Sequence, residues 1–336
     1  AWLLVVCSLA LFLCGIFLIV RNMTPKARRR AGLSPQKSFL KTYSLFVLAL
    51  PAVCAVLLWQ YYPLLRGSVM AFQNYKISGN HLYVGVDNFI MLFGNADFYL
   101  SMLRTFYYVG LTILIGFIAP IFLAFLLTEI PRFKILFRTI FYLPSVTSSL
   151  VIMFLWKEFY DPSPSGLLNT LIIKTASFFG IETIGFKYLS DPRLAMICII
   201  IPGVWAAAGS GSLIYQAALT SIPPDMYEAA EIDGAGFFAK IRHITIPMLK
   251  PLIIINFVGV FIGAFHAMQN IFVLTGGGPY NATRVIGLDI WYNAFVYLKF
   301  GMATAMAWVL GLMLIGFTVM QLRILSKVEF RKAQEN

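Results

Sequence analysis

Apolar residues in this chain come in uninterrupted blocks about as long as a bilayer is thick. Roughly 20 residues of helix cross about 30 Å of hydrocarbon, and only a helix or a closed barrel keeps every backbone polar group bonded there. Blocks of that length occupy approximately 2–20, 43–65, 105–128, 140–156, 194–218, 252–274 and 302–322. Only 12% of the 336 residues are charged and 60% are hydrophobic, against about 25% charged in a soluble domain. So few charges cannot clothe a globular surface, and lipid must solvate much of this one. Aromatic residues reach 15%, and many stand at block ends, as in Trp59-Gln60-Tyr61-Tyr62 and Trp291-Tyr292, where interfacial belts form. The predicted fold is all-α: a polytopic membrane protein with a six-span core and one extra N-terminal span.

Lys and Arg predict the orientation, because cytoplasmic loops carry their excess. Segment 21–41 holds Arg21, Lys26, Arg28, Arg29, Arg30, Lys37 and Lys41; 129–139 holds Arg132, Lys134 and Arg138. Segment 219–251 holds Lys240, Arg242 and Lys250, and the tail holds Arg323, Lys327, Arg331 and Lys332. With seven spans these four segments share one side, which is therefore the cytoplasm, and the C-terminus lies there too. Loops 66–104, 157–193 and 275–301 mix acids and bases and face outward. Within 157–193, residues 167–179 are apolar but too short to span, and Lys174 interrupts them; an interfacial helix is predicted. Residues 1–20 are read as a retained span. A signal peptide opens on basic residues and ends at a small-residue cleavage site, whereas here the basic cluster follows the apolar block. The chain then divides into an N-terminal span and basic linker (1–42), a transmembrane domain (43–326) and a cytoplasmic tail (327–336).

The net charge of +12 is explained by these basic loops, so no nucleic-acid partner is inferred. Cys7, Cys14, Cys54 and Cys198 lie inside apolar blocks without CxxC spacing and suggest packing rather than disulfide or metal chemistry. His81, His243 and His266 fall in an outward loop, an inward loop and a span, so they cannot share one metal site. Asp161 and Asp191 stand beside prolines and read as turn residues. No catalytic constellation emerges. Gly276-Gly277-Gly278 lacks a following Lys-Ser/Thr and a strand-to-helix context, so it reads as a turn rather than a phosphate cradle.

The inward segment 219–251 differs from the other loops. Ser221 can cap a helix whose first turn holds Pro223 and Pro224. Asp225, Glu228 and Glu231 then sit near its N-terminus, where the dipole favours acids. Gly234 permits the turn that ends it. A second short helix is expected from Phe237 to Ile244, closed by Pro247 and Pro251. Ala229, Ala230 and Ala235 keep the profile thin, which suits docking into a groove. A plain amphipathic connector fits the same spacing.

Glu228-Ala229-Ala230, Asp233-Gly234-Ala235 and Ile244-Thr245-Ile246-Pro247 resemble the EAA loop of permease subunits in binding-protein-dependent ABC importers. In that family the loop is a coupling helix that docks into a cleft of the cytoplasmic ATPase. The resemblance implies that role for Glu228, Ala229, Ala230, Asp233, Gly234, Ala235 and Pro247. Further segments resemble the carbohydrate-uptake branch, the maltose permease relatives: Tyr62-Pro63-Leu64-Leu65, Ser68, Phe72, Val84-Gly85-Val86-Asp87-Asn88-Phe89, Leu143-Pro144, Trp156, Leu167-Leu168-Asn169 and Leu274-Thr275-Gly276-Gly277-Gly278-Pro279. Together they cover most of 43–322, and the N-terminal span is a departure from a minimal six-span member. The resemblance implies a bacterial inner-membrane location, a second homologous permease, two ATPase subunits and an external solute-binding protein. It implies no cofactor in this chain. No Walker A sequence is present, so ATP and Mg would be bound by the partner ATPase.

Polar residues inside spans are costly and usually face an interior. Asn256, His266, Gln269 and Asn270 lie in the predicted span 252–274, the last three at i, i+3 and i+4 and so on one helix face. Trp205, Ser210 and Tyr215 lie in span 194–218. Amides, hydroxyls and aromatic faces are what a sugar needs, so these seven residues are the candidate pathway; bonding between packed helices is the alternative. An ion-coupled secondary transporter would require buried acids or a basic relay near the midplane. Arg104, Glu129 and Lys157 sit only at span ends. The expected cargo is an oligosaccharide or a related sugar derivative.

Overall fold

The computed structural model describes residues 49–79, 81–129, 133–265 and 268–335. The span predicted over 2–20 and the basic linker lie outside the described residues, as do Arg132 and His266.

Described residues are helical almost wherever the sequence is apolar. Helix α1 runs over 49–70 with a π-turn at Leu57–Tyr61, so Trp59, Tyr61 and Tyr62 stand within the helix rather than at its end. A two-residue hairpin follows, β1 Gln73–Asn74 antiparallel to β2 Leu82–Tyr83, with Gln73 opposite Tyr83. Next come α2 (Asp87–Phe93) and the long α3 (Ala96–Glu129). Asn95 starts α3, its side chain accepting from the Asp97 N–H at 2.9 Å, which satisfies one of the orphan donors of a helix start. Helix α4 (Lys134–Val146) meets α5 (Ser149–Phe159), α6 is Leu167–Phe178 and α7 is Ala195–Thr220. Then come α8 (Pro224–Ile232), α9 (Phe237–Phe265), α10 (Gln269–Leu274), α11 (Ile286–Trp291) and α12 (Phe300–Glu335).

Four described helices are long and apolar enough to cross a membrane: α3, α7, α9 and the apolar part of α12. The α4–α5 pair makes a fifth if it is one broken span. Two sequence expectations are corrected here. The span predicted at 140–156 is not straight. Its two helices bend by 102° at Thr147 and Ser148, whose ψ angles of 144° and 132° are extended. The run Pro144-Ser-Val-Thr-Ser-Ser149 supplies the break, because Ser and Thr hydroxyls compete for helix backbone groups; Ser145 and Thr147 bond to the Tyr142 and Leu143 carbonyls. The span predicted at 252–274 is not one continuous helix: α9 is described as far as Phe265, Met268 lies in no helix, and a separate six-residue helix begins at Gln269.

The segment after Phe265 forms the centre of the fold. Ile271, Ile286 and Leu288 are fully buried. Ile271 and Leu288 pack with Tyr108, Met153 and Ile199 from three other helices. Ile286 joins Phe98, Val109, Phe265 and Met306. The Ile286 N–H donates to Thr105 Oγ1 at 3.0 Å, tying this segment to α3. Helix α7 runs along the C-terminal half of α3 and against α4, and Gly209 permits the closest approach. A Cβ on Gly209 would lie 2.0 Å from the Phe141 carbonyl oxygen.

Two asparagines from the signature segments act as staples. Asn88 Nδ2 donates to the carbonyls of Ala71 and Gln73 at 2.8 and 3.1 Å. Asn169 is fully buried; it donates to Ser163 and Phe186 carbonyls, both at 3.1 Å, and accepts from the Phe186 N–H at 2.9 Å. Asp161 does close a turn, accepting from the Ser163 N–H and hydroxyl at 3.0 and 2.8 Å. These bonds, the N–H first, hold its carboxyl below the ordinary range.

Candidate functional site

Helix α8 is short, and its ends are set by residues with fixed backbone preferences. Pro223 is the N-cap and Pro224 the first helical residue, where a missing N–H costs nothing. Ser221 does not cap this helix. It closes α7 instead, donating to the Ala218 carbonyl at 2.7 Å. Gly234 ends α8 with φ +78°. The Gly234 N–H reaches the Glu231 carbonyl at 3.0 Å and the Ala235 N–H reaches Ala230 at 2.8 Å, the paired bonds of a Schellman turn. Asp225 lies in the first turn, favourably placed against the helix dipole.

The expected second short helix is instead the first part of α9, which runs unbroken from Phe237 to Phe265. Pro247 and Pro251 do not terminate it. A π-turn at Ile241–Thr245 precedes them, and the wider i to i+5 bonding gives slack where proline offers no N–H. Two contacts tie α8 to α9: the Tyr227 hydroxyl lies 3.0 Å from Thr245 Oγ1, and Lys240 pairs with Glu231. The outer surface is apolar and uncovered. Ile232 is 87% and Phe238 82% exposed, with Met226 and Phe237 beside them. Glu228, Ala229, Asp233, Gly234 and Pro247 are exposed, while Ala230 and Ala235 are half-buried. Small residues, the Lys240–Glu231 ion pair and bare apolar side chains stand together on this surface, a composition suited to protein docking.

The polar residues of the spans separate into two groups. Tyr215 is buried and lies beside the half-buried Asn256 of α9, a contact between packed helices. Gln216, on the same helix, donates to the Tyr142 hydroxyl at 2.8 Å and to Ser212 Oγ at 3.0 Å, again a packing role. Ser210 is exposed and donates to the Ala207 carbonyl at 3.3 Å. The second group is more open. Gln269 is exposed and its Nε2 lies 3.4 Å from Ser149 Oγ at the α4–α5 bend. Asn270 Nδ2 packs against Gly203, 3.0 Å from where a Cβ would stand. Trp205 is 41% exposed and meets the Trp156 ring edge-on at 6.0 Å. Gln269 and Asn270 open a separate six-residue helix, and His266 lies outside the described residues. Ser149 and the indole of Trp156, whose buried Nε1 has no described partner, join this group without any periodic signal in the sequence. No cluster of three metal-ligating side chains occurs among the described residues.

Residues 116–330 match the family described as binding-protein-dependent transport system inner membrane components. This chain belongs to that family. The match covers the α8 segment and every polar residue just described. The inner membrane component is 30% identical over 281 residues to the probable ABC transporter permease YurN of Bacillus subtilis, covering 83% of this chain and 94% of the relative. It is 29% identical over 289 residues to UgpA of Yersinia pestis, a permease of the sn-glycerol-3-phosphate transport system, covering 84% and 94%. It is 28% identical over 279 residues to AraP of Halalkalibacterium halodurans, an arabinooligosaccharide permease, covering 82% and 86%. A crystal structure of a bacterial ABC transporter that imports the acidic polysaccharide alginate contains a chain with a TM-score of 0.71 and 27% identity, covering 85% of this chain and 97% of that one. A crystal structure of a bacterial alginate ABC transporter complexed with an alginate pentasaccharide-bound periplasmic protein gives a TM-score of 0.72 and 26% identity over 84% of this chain and 95% of that one. The component is thus a membrane-embedded transport subunit of an ABC importer and not an enzyme. The ion-coupled alternative finds no support.

Proposed function

We propose that this permease forms half of a translocation pathway for an oligosaccharide or related sugar derivative. Trp205, Trp156, Ser149, Gln269 and Asn270 would meet the cargo, with Ser210 and His266 on the same route and the Tyr215–Asn256 pair bracing it. The observation that carries this reading is the open group around Trp205: two indoles, two amides and a hydroxyl at the α4–α5 bend and the break after Phe265. Aromatic faces stack on sugar rings, and amides bond hydroxyls. The relatives named for arabinooligosaccharide and alginate support a carbohydrate cargo; the one named for glycerol phosphate keeps a smaller sugar derivative in view.

The α8 segment, with Glu228, Ala229, Ala230, Asp233, Gly234, Ala235 and Pro247, is the surface that would dock on an ATPase subunit. Two ATPases carrying ATP and Mg, a second homologous permease and an external solute-binding protein complete the assembly. Residues 219–251 and the C-terminus would face the cytoplasm of a bacterial cell, with 1–42 as an N-terminal span and linker, 43–326 as the transmembrane domain and 327–336 as a tail. ATP-driven closure of the ATPases would move α8, and through the Tyr227–Thr245 contact the span α9, rocking the two permeases between outward- and inward-facing states.

Uptake into proteoliposomes containing the whole complex tests this. Labelled arabinose and uronate oligosaccharides and labelled glycerol phosphate are supplied with the binding protein. Accumulation of an oligosaccharide that needs enclosed ATP and survives collapse of the proton gradient is expected. Uptake of glycerol phosphate alone narrows the cargo to the smaller sugar derivative; no ATP-dependent uptake of any of the three, or uptake that follows the gradient alone, contradicts the proposal.

A further inference from the structure

Arg104 is the odd residue of α3. It lies eight residues from Ala96, about 12 Å along the helix axis. It is half-buried, and among the described residues no hydrogen bond or ion pair reaches it. An ionisable side chain half-withdrawn from water at the end of a span is costly without a counter-charge and usually points to a functional site. Here it opens onto a cavity of about 240 Å³ between α3, α11 and the start of α12.

The charges of that cavity are unevenly matched. Arg104, Arg284 and Lys299 line it with Asp97 and Asp289, a net charge of +1. Asp289 is already fully engaged: the Ser101 hydroxyl donates to one carboxylate oxygen and Arg284 Nε to the other. Asp289 is buried, and its charge is matched by its ion-pair partner Arg284. Arg104 and Lys299 remain against the single exposed carboxylate of Asp97. Below the cations the floor is apolar, with Phe98 and Met306.

The position narrows the chemistry. Helices α3 and α7 run parallel, Gly116 facing Val204 and Gly211 facing Pro120, and α7 ends at the α8 segment. The cavity at the start of α3 therefore lies at the opposite end of the span bundle from α8, at the level of a lipid headgroup layer. A guanidinium fork with a neighbouring ammonium suits a phosphate, whose several oxygens accept charge-assisted bonds. An apolar floor suits the glycerol and first methylenes behind it.

We infer that this cavity binds a phosphate group, held by Arg104 and Lys299, from the headgroup of an anionic phospholipid or from free phosphate. The site is separate from the Trp205 group and from α8, so transport of cargo and this binding can fail independently.

The full complex, delipidated in neutral detergent, is incubated with phosphatidylglycerol or phosphatidylcholine, and retained lipid is measured by mass spectrometry. A parallel arm records thermal unfolding with inorganic phosphate alone. Arg104→Gln and the rim variant Lys299→Gln are compared with the parent, and Lys299→Gln is decisive if Arg104→Gln fails to assemble. The parent is expected to retain phosphatidylglycerol over phosphatidylcholine, and each variant to lose it by roughly tenfold, the loss of one charge-assisted contact. Stabilisation of the parent, but not of the variants, by inorganic phosphate alone identifies a soluble anion as sufficient; phosphatidylglycerol retention without it identifies the lipid. Parent and variants that behave alike in both arms overturn the inference.

Discussion

The hydroxyl of Tyr227 lies 3.0 Å from Thr245 Oγ1, joining the middle of α8 to the π-turn at the start of α9. Thr245 is buried and Tyr227 half-buried, so this bond is better shielded than the Lys240–Glu231 pair, whose Glu231 side chain is 65% exposed. A surface ion pair contributes little, whereas a shielded hydrogen bond contributes about 1 kcal/mol. Tyr227→Phe is therefore expected to loosen α8 from α9 by about that amount. Substrate-stimulated ATP hydrolysis should fall while the complex still assembles; an unchanged stimulation would show that motion reaches α9 by another contact.

Helix packing at Gly209 gives a sharper structural test. A Cβ there would meet the Phe141 carbonyl oxygen at 2.0 Å, while one on Gly110 would meet nothing within 4 Å. Overpacking of this kind costs about 1–3 kcal/mol. Gly209→Ala should lower the unfolding temperature in detergent, and Gly110→Ala should not. Equal behaviour of the two variants contradicts the close α4–α7 approach.

Orientation is testable by thiol labelling in intact cells. Single cysteines placed at Ala230 or Ala235 should resist an impermeant reagent, and cysteines at Asn281 or Tyr280 should react. Tyr280 is 91% exposed, so a lack of labelling there would not come from burial. Labelling from outside at Ala230 reverses the proposed topology.

The pathway makes a graded prediction. Trp205→Ala, Gln269→Ala and Asn270→Ala should each reduce uptake with assembly intact, by roughly tenfold for loss of a contact worth about 1.4 kcal/mol. Tyr215→Phe and Asn256→Ala should act mainly on stability, since both residues lie at the packed contact between α7 and α9. The opposite pattern, with uptake sensitive to Tyr215 and indifferent to Trp205, would relocate the route.

Much of this architecture was legible because span length and loop charge are one-dimensional signals. The positions of α3, α7 and α12 follow from apolar runs alone, and the turn at Gly234 follows from its lack of a Cβ. Four features were not legible. The 102° bend between α4 and α5 lies in a run whose hydropathy is continuous with a span, and only Pro144 followed by Ser and Thr residues marks it. Residues 266–268 carry no proline or glycine, so helical spacing reads straight through them, whereas Gln269 begins a separate helix. Conversely, Pro247 and Pro251 looked like helix stops, but the π-turn at Ile241–Thr245 accommodates them. Trp156 and Ser149 reached the site through tertiary packing, which spacing along one helix cannot reveal.

The central claim is that α8 couples this subunit to a separate ATPase. Glu228 is exposed on α8, where truncating one member of a desolvated charge pair with a partner costs about 2–5 kcal/mol. Gly234 has φ +78°, and a Cβ added there would meet nothing within 4 Å, so Gly234→Val carries a backbone cost of about 1–2 kcal/mol rather than a clash. Both residues lie outside the apolar spans, so membrane insertion should be unaffected. The decisive measurement is ATPase retention after detergent purification of Glu228→Lys and Gly234→Val, together with substrate-stimulated hydrolysis. Loss of retention or of stimulation in both variants, with the permease still in the membrane, is the predicted result. Normal retention and normal stimulation in both would mean that α8 is only a connector, and would contradict the account.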